Sequence, residues 1–135
     1  MIQVHGIKHI LVIDHQSSWR ALSTQALRKA GFSVEECASY FDQPYLETYP
    51  DLIILGCARV GSEEQQLITQ LLKEKHHLLV LSAYLPISVM RALYMQGVDD
   101  IVDKPYSSNL LVNIVHELFA TITQHTSNTL AEERR

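Results

Sequence analysis

The chain is poor in cysteine, in long apolar runs and in positive charge, and each shortage removes a class of protein. Cys37 and Cys57 are its two cysteines. Two are too few for a disulfide framework, and neither stands in a Cys-x-x-Cys or Cys/His spacing that would hold zinc. A reducing cytoplasm is the expected compartment. The first apolar run, Ile10 to Ile13, is cut by Asp14, far short of a signal-peptide core or a membrane span. Lys and Arg number 11 against 15 Asp and Glu, scattered along the chain with a formal charge of -4. That balance lacks the basic stripe that binding to a phosphate backbone requires, so direct contact with nucleic acid is not expected.

What is present is 135 residues with 47% apolar content, enough for one domain to bury a core without staples. Five short apolar runs recur, each followed by a stretch with helical spacing, the pattern of βαβ units sharing one parallel sheet. The first strand is His9 to Asp14, HILVID, continuous rather than alternating, as in a strand covered on both faces. Ser17 and Ser18 are candidate N-caps for a helix with Ala21, Leu22, Ala26, Leu27 and Ala30 on one stripe, closed at Gly31. Phe32 to Cys37 is a half-polar run that suits an edge strand. Residues 39–49 leave room for a short or irregular helix, with Asp42 as cap and Pro44 in its first turn.

Asp51 to Leu55 repeats the buried-strand composition, and Ser62-Glu63-Glu64-Gln65 is a capping box opening a third helix through Leu67, Ile68, Leu71 and Leu72. Leu78 to Ser82 is a fourth strand, Ser88 to Gln96 a fourth helix ended by Gly97, and Asp100 to Asp103 a fifth strand running into Lys104-Pro105. The last helix is predicted from about Ser108 to Thr123, with Leu111, Ile114, Val115, Leu118, Phe119 and Ile122 as its buried stripe. HTSNT then reads as a polar break, and Thr129-Leu130-Ala131-Glu132 as a second capping box. The domain is thus drawn at residues 1–124, with 125–135 a polar linker or the start of a linker helix to a further, output domain. A frayed polar terminus is the other reading.

Open parallel sheets bind ligands beyond the carboxyl ends of their strands, where the winding reverses. Those ends carry Asp14 and His15, Gly56 and Cys57, Ser82 and Ala83, and Lys104 and Pro105. The runs LVID, PDLIILG, VLSA and GVDDIVDKPY resemble the strand ends of the response-regulator receiver (CheY-like) family, in order and spacing, over residues 8 to about 123. The resemblance implies a flavodoxin-like, doubly wound five-stranded parallel sheet of order 2-1-3-4-5 in a three-layer α/β/α sandwich. It also implies a job for each position. An acidic pair after the first strand holds Mg²⁺, an aspartate ending the third accepts a phosphoryl group, a Ser or Thr ending the fourth bonds it, and a lysine after the fifth neutralises charge.

Carried over residue by residue, Asp14 matches the first acid, Ser82 the hydroxyl and Lys104 the lysine, with Pro105 following it through a cis bond as the resemblance implies. His15 stands at the second acid, Gly56 at the acceptor, and Ile101 where an aromatic switch residue is common. The departures remove the reactive groups and the matches keep the frame. Glycine offers no nucleophile, so no acyl phosphate is expected at Gly56. One carboxylate beside an imidazole is a poor magnesium site, so weak or absent Mg²⁺ binding and no other cofactor are expected. Asp51, about 16 Å away along the strand, is no substitute acceptor. Lys104, without its usual acidic neighbour, is expected to pair with Asp14 across the cleft.

Other residues invite sharper stories with plainer alternatives. His76 and His77 suggest a metal site but belong to the far end of their strand and suit a solvated turn. Cys57 is a redox sensor or a core cysteine, the latter expected. A bridge to Cys37 is disfavoured because the first strand lies between them. Arg59 brings positive charge toward an anion above Gly56 or is simply exposed.

These readings predict a non-enzymatic receiver-type module of two-component or phosphorelay signalling that works by contact rather than phosphoryl transfer. The face of the fourth helix, fifth strand and last helix, with Met90, Leu93, Tyr94 and Tyr106, would bind a protein partner or a second copy. The alternative is a small-ligand or anion sensor using the vacated space beside Ser82 and Lys104. A flavin carrier or enzyme on the same fold fits worst, because DHQSSW after the first strand has neither the glycines nor the run of Ser and Thr to wrap a phosphate, and no acid, base and nucleophile converge.

Overall fold

The computed structural model describes residues 6–40 and 49–133, with side chains as far as residue 123. The short helix expected over 39–49, with its Asp42 cap and Pro44, lies for the most part outside the described residues. Five strands, β1 (His9–Asp14), β2 (Ser33–Cys37), β3 (Leu52–Arg59), β4 (Leu78–Tyr84) and β5 (Asp100–Asp103), form one parallel sheet of order β2-β1-β3-β4-β5. Helices α1 (Ser17–Lys29), α2 (Ser62–Lys73), α3 (Ile87–Gln96) and α4 (Ser108–Glu133) join and flank them. The doubly wound sandwich and its strand order are those expected.

Two apolar layers follow from the period-two alternation of the strands. Ile10, Val12, Leu52, Ile54, Leu79 and Leu81 face α1 and α4, where Leu27, Leu111 and Val115 meet them. Leu11, Ile13, Ile53, Leu55, Leu78 and Val80 face the opposite way, toward Ile68 and Leu71 of α2 and Leu93 of α3. Most of these side chains are fully buried; each contributes about 1.5–3 kcal/mol on transfer from water, before the conformational entropy it loses. Burial on both faces is why β1, β3 and β4 read as unbroken apolar runs.

The element ends depart from expectation in instructive ways. α1 is preceded by Gln16 as N-cap, with no side-chain capping bond, rather than capped by Ser17 or Ser18. Its first turn is fixed instead by Asp14, whose Oδ1 accepts from the Gln16 N–H at 2.9 Å. The capping box expected at Ser62 is replaced by half of one a residue earlier: Gly61 is the N-cap, with no side chain to accept, and its N–H donates to Glu64 Oε1 at 2.8 Å. β3 and β4 run past Leu55 and Ser82, because Arg59 still pairs with Tyr84. The polar break expected at 125–129 is absent, and α4 continues to Glu133. Thr, Ser and Asn lower helix propensity but do not break a helix already nucleated, and the stretch has neither Gly nor Pro. The boundary expected at residue 124 and the capping box at Thr129 therefore both fall within a helix.

Candidate functional site

Register brings the predicted residues together at the carboxyl edge of the sheet. Asp14 stands opposite Gly56 on the neighbouring strand. Beyond β5, the Lys104 N–H donates to the Ser82 carbonyl at 2.9 Å, and the Lys104-Pro105 peptide bond is cis, as expected. Lys104 Nζ donates to Asp14 Oδ2 at 2.9 Å, and both side chains retain 2% exposure. The pairing expected across the cleft is therefore present, and it is buried.

The Asp14 carboxylate also fills the space that Gly56 leaves. A Cβ built on Gly56 would lie 2.7 Å from Asp14 Cγ and closer still to its Oδ2, well inside van der Waals contact. The acceptor position is thus occupied by the neighbouring strand's carboxylate rather than left open. For the small-ligand or anion alternative, the Asp14 side of Gly56 is filled and Lys104 is already paired, and the open space beside Gly56 lies toward α2.

Five residues that sequence reasoning did not place in the cleft complete it. Gln16 Oε1 accepts from Lys104 Nζ at 2.7 Å, and the Trp19 ring centroid lies 5.5 Å from the same ammonium. Trp19 packs against Tyr106 at 4.7 Å between centroids, and the Tyr106 hydroxyl shares a 2.6 Å hydrogen bond with Ser23 Oγ. Burial pushes the Tyr106 phenol up, against the pull of the Ser23 bond. Arg20 Nη1 donates to the Asp14 carbonyl at 2.7 Å. Together these tie β1, α1 and the β5-α4 turn into one network, buried at the Asp14–Lys104 and Ser23–Tyr106 bonds and partly exposed at Gln16 and Arg20. A Gln and a Trp shortly after Asp14, both able to reach over a cation, are the signal that was available for it.

The other predicted positions lie apart from this pair. Ser82 Oγ donates to the Tyr84 carbonyl at 3.1 Å and, at 3.5 Å, to that of Ala58. The extra lengths of β3 beyond Leu55 and of β4 beyond Ser82 supply those acceptors. His15 is exposed, and Arg59 is exposed at the end of β3 rather than in a loop. Ile101 is partly buried against the α2/α3 side of the core. His76 is not simply solvated: it stacks on Tyr49 at 4.6 Å, and burial lowers its imidazole pKa. His77 Nδ1 lies 3.4 Å from Asp99 Oδ1.

On the far side of Gly56 a cavity of about 520 Å³ opens between β1, β3 and α2, with His15, Tyr40, Cys57, Glu63 and Glu64 among its lining residues. Its carboxylates make it a poor receptor for anions. Burial pushes the Cys57 thiol up to about 11, with the Ser82 hydroxyl opposing and the Glu64 charge reinforcing the rise. A thiol so protonated is a poor nucleophile, which counts against the redox-sensor reading, while Cys57 itself sits partly exposed at the cavity wall rather than in either core layer. Cys37 and Cys57 form no disulfide with each other.

The magnesium ion implied by the resemblance does not fit these residues. Asp14 is a single carboxylate with both oxygens engaged, Gly56 supplies no ligand, and an imidazole is an unsuitable partner for this hard cation. Among the described residues no group of three His, Cys, Asp or Glu side chains is placed to hold a metal ion.

Of the four residues expected on an interaction face, two are elsewhere. Leu93 belongs to the core and is 2% exposed, and Tyr106 is 7% exposed beneath Trp19. Met90 is partly buried, and Tyr94 remains at the surface, its hydroxyl donating to Asp100 Oδ1 at 2.9 Å and accepting from the Ile101 N–H at 3.2 Å. The exposed apolar side chains of α3 are Ile87, Tyr94 and Met95, the last 89% exposed. No helix among the described residues is long and apolar enough to cross a membrane.

Neither a protein-family model nor a curated protein matches the chain. Solved structures do. A response regulator from Thermotoga maritima superposes with a TM-score of 0.72 at 22% identity, over 85% of this chain and 99% of that one. The Vibrio cholerae chemotaxis protein CheY4 gives 0.71 at 16%, over 84% and 99%. The chain has the receiver fold. The Thermotoga maritima response regulator DrrB, an OmpR/PhoB homolog, gives 0.72 at 15% identity, over 86% of this chain and 54% of its own. At such identities the likeness carries the receiver architecture and leaves the chemistry to the residues themselves.

Proposed function

We propose that this receiver-fold domain acts in two-component or phosphorelay-type signalling as a non-phosphorylatable module, working through protein contacts and without catalytic activity of its own. The observation that carries this reading is the Asp14 carboxylate seated at the Gly56 position and bound to Lys104. A phosphoryl group needs a nucleophile and room for its oxygens, and the cleft offers neither.

The contact surface is the face formed by α3, β5 and the outer side of α4. Ile87, Tyr94 and Met95 give it apolar area, and Asp100, Asp103 and Arg91 give it charge at its border. Apolar side chains grouped on one helix and rimmed by polar residues mark interaction sites more often than chance exposure does. The occupant is a protein partner or a second copy of the chain.

The test is made in cells that carry the gene at its own locus. An Ile87→Asp/Met95→Asp variant is expected to fold normally and to lose the signalling output. Output undiminished in that variant would overturn the contact reading.

A further inference from the structure

We propose that the Lys104 ammonium is the resident cation of the cleft, and that by filling the place between the Asp14 carboxylate and the Gln16 side-chain carbonyl it keeps divalent metals out. The ammonium meets Asp14 Oδ2 at 2.9 Å and Gln16 Oε1 at 2.7 Å, with the Trp19 ring over it at 5.5 Å. One carboxylate oxygen and one amide oxygen are the donors a hard metal ion takes. Here an organic cation takes them, and an aromatic face adds attraction that a lysine uses well.

The charge balance explains why the arrangement suits this chain. Lys104 and Asp14 are both buried, so each compensates the other in a region where a lone charge is costly. A divalent ion entering between Asp14 and Gln16 would meet the ammonium at close range, and like charges so near in a partly desolvated site repel strongly. Removing the ammonium therefore unmasks two oxygen donors beside the chain's one tryptophan. This inference is independent of the contact surface on α3.

The experiment uses terbium ion as the probe and Trp19 as the antenna. Titrated against the wild-type protein, Tb³⁺ is expected to give no sensitised emission that depends on Asp14. Lys104→Ala is expected to bind it at least about tenfold more tightly, a gain of about 1.4 kcal/mol or more, and Asp14→Asn/Lys104→Ala is expected to lose that gain. Equal binding by wild type and Lys104→Ala, or a gain that survives loss of the Asp14 carboxylate, would overturn the proposal. Should Lys104→Ala fail to fold, wild-type melting decides. Mg²⁺ is expected to leave the Tm where NaCl of equal ionic strength leaves it, and a Tm raised by Mg²⁺ alone overturns the proposal, since a ligand of the native state must stabilise it.

Discussion

Asp14 and Gly56 stand opposite each other on β1 and β3, and the carboxylate of the first lies where a side chain on the second would begin. The glycine and the buried ion pair are one structural solution. Without a side chain at 56, Asp14 can lean across to Lys104, and with Asp14 there, position 56 has no room for one.

Gly56→Ala should therefore be destabilising, by about 1–3 kcal/mol as for other overpacked sites. The sign is informative, because replacing glycine in a strand interior ordinarily stabilises by roughly 0.5–1 kcal/mol. Urea denaturation measures it. A variant at least as stable as wild type would mean that Asp14 moves aside without cost. Gly56→Asp should be worse still, since it places a second carboxylate against the first.

Breaking the buried pair from one side should cost more than removing it whole. Lys104→Met leaves Asp14 as an uncompensated buried charge and is expected to lose about 3–5 kcal/mol. Asp14→Leu/Lys104→Met should recover most of that loss, as apolar replacements of buried pairs do. A double-mutant cycle in denaturant decides the matter, and simply additive losses would contradict the pairing.

How much of this arrangement was legible follows from what sequence can encode. Strands buried on both faces must be apolar throughout, so HILVID, DLIIL and LLVLS announce themselves, and the order of their ends follows from chain order. Lys104 and Asp14 could be paired because the residues that would otherwise compete for them are missing from the sequence. Gln16 and Trp19 escaped because they look like an ordinary helix start, and only the fold shows that both turn back over the ammonium. Leu93 and Tyr106 were misplaced for a related reason. Helical spacing groups Met90, Leu93 and Tyr94 without saying which side meets the sheet; the i, i+4 pair Val89 and Leu93, both against the α2/α3 core, was the better guide. The continuation of α4 was hidden by polar residues that disfavour a helix without forbidding it.

Cys57 should be inert at neutral pH. With its pKa pushed up to about 11, roughly one thiol in a thousand is ionised at pH 8. Iodoacetamide should label Cys57 far more slowly in the native protein than in the urea-unfolded one, read by peptide mapping, and equal rates would contradict the raised thiol pKa. The same shift sets a pH dependence. The native thiol keeps its proton where the unfolded thiol, near 9.0, has lost it. Its stabilising contribution is thus whole below pH 9 and is lost as pH rises toward 11. Tyr106 and Tyr94, raised by burial, act in the same direction. Stability should fall across that window, and less steeply in Cys57→Ala.

Lys75 follows the last turn of α2 with φ 71°, its N–H donating to the Leu72 carbonyl while that of His76 donates to Leu71. This left-handed cap favours glycine. The conformation costs an L-residue about 1–2 kcal/mol, and glycine's extra chain entropy returns part of the gain. Lys75→Gly should stabilise the domain by about 0.5–1 kcal/mol in thermal or urea melts, and a destabilised variant would contradict the cap assignment.

The decisive measurement is intact-mass analysis of the purified protein after incubation with acetyl phosphate and Mg²⁺. A cleft in which Asp14 and Lys104 have closed over Gly56 should yield no phosphoryl adduct, at any donor concentration that fully modifies an aspartate-bearing receiver treated alongside. A stoichiometric adduct that survives acid, is lost in base and maps to the strand ends around Gly56 would contradict it.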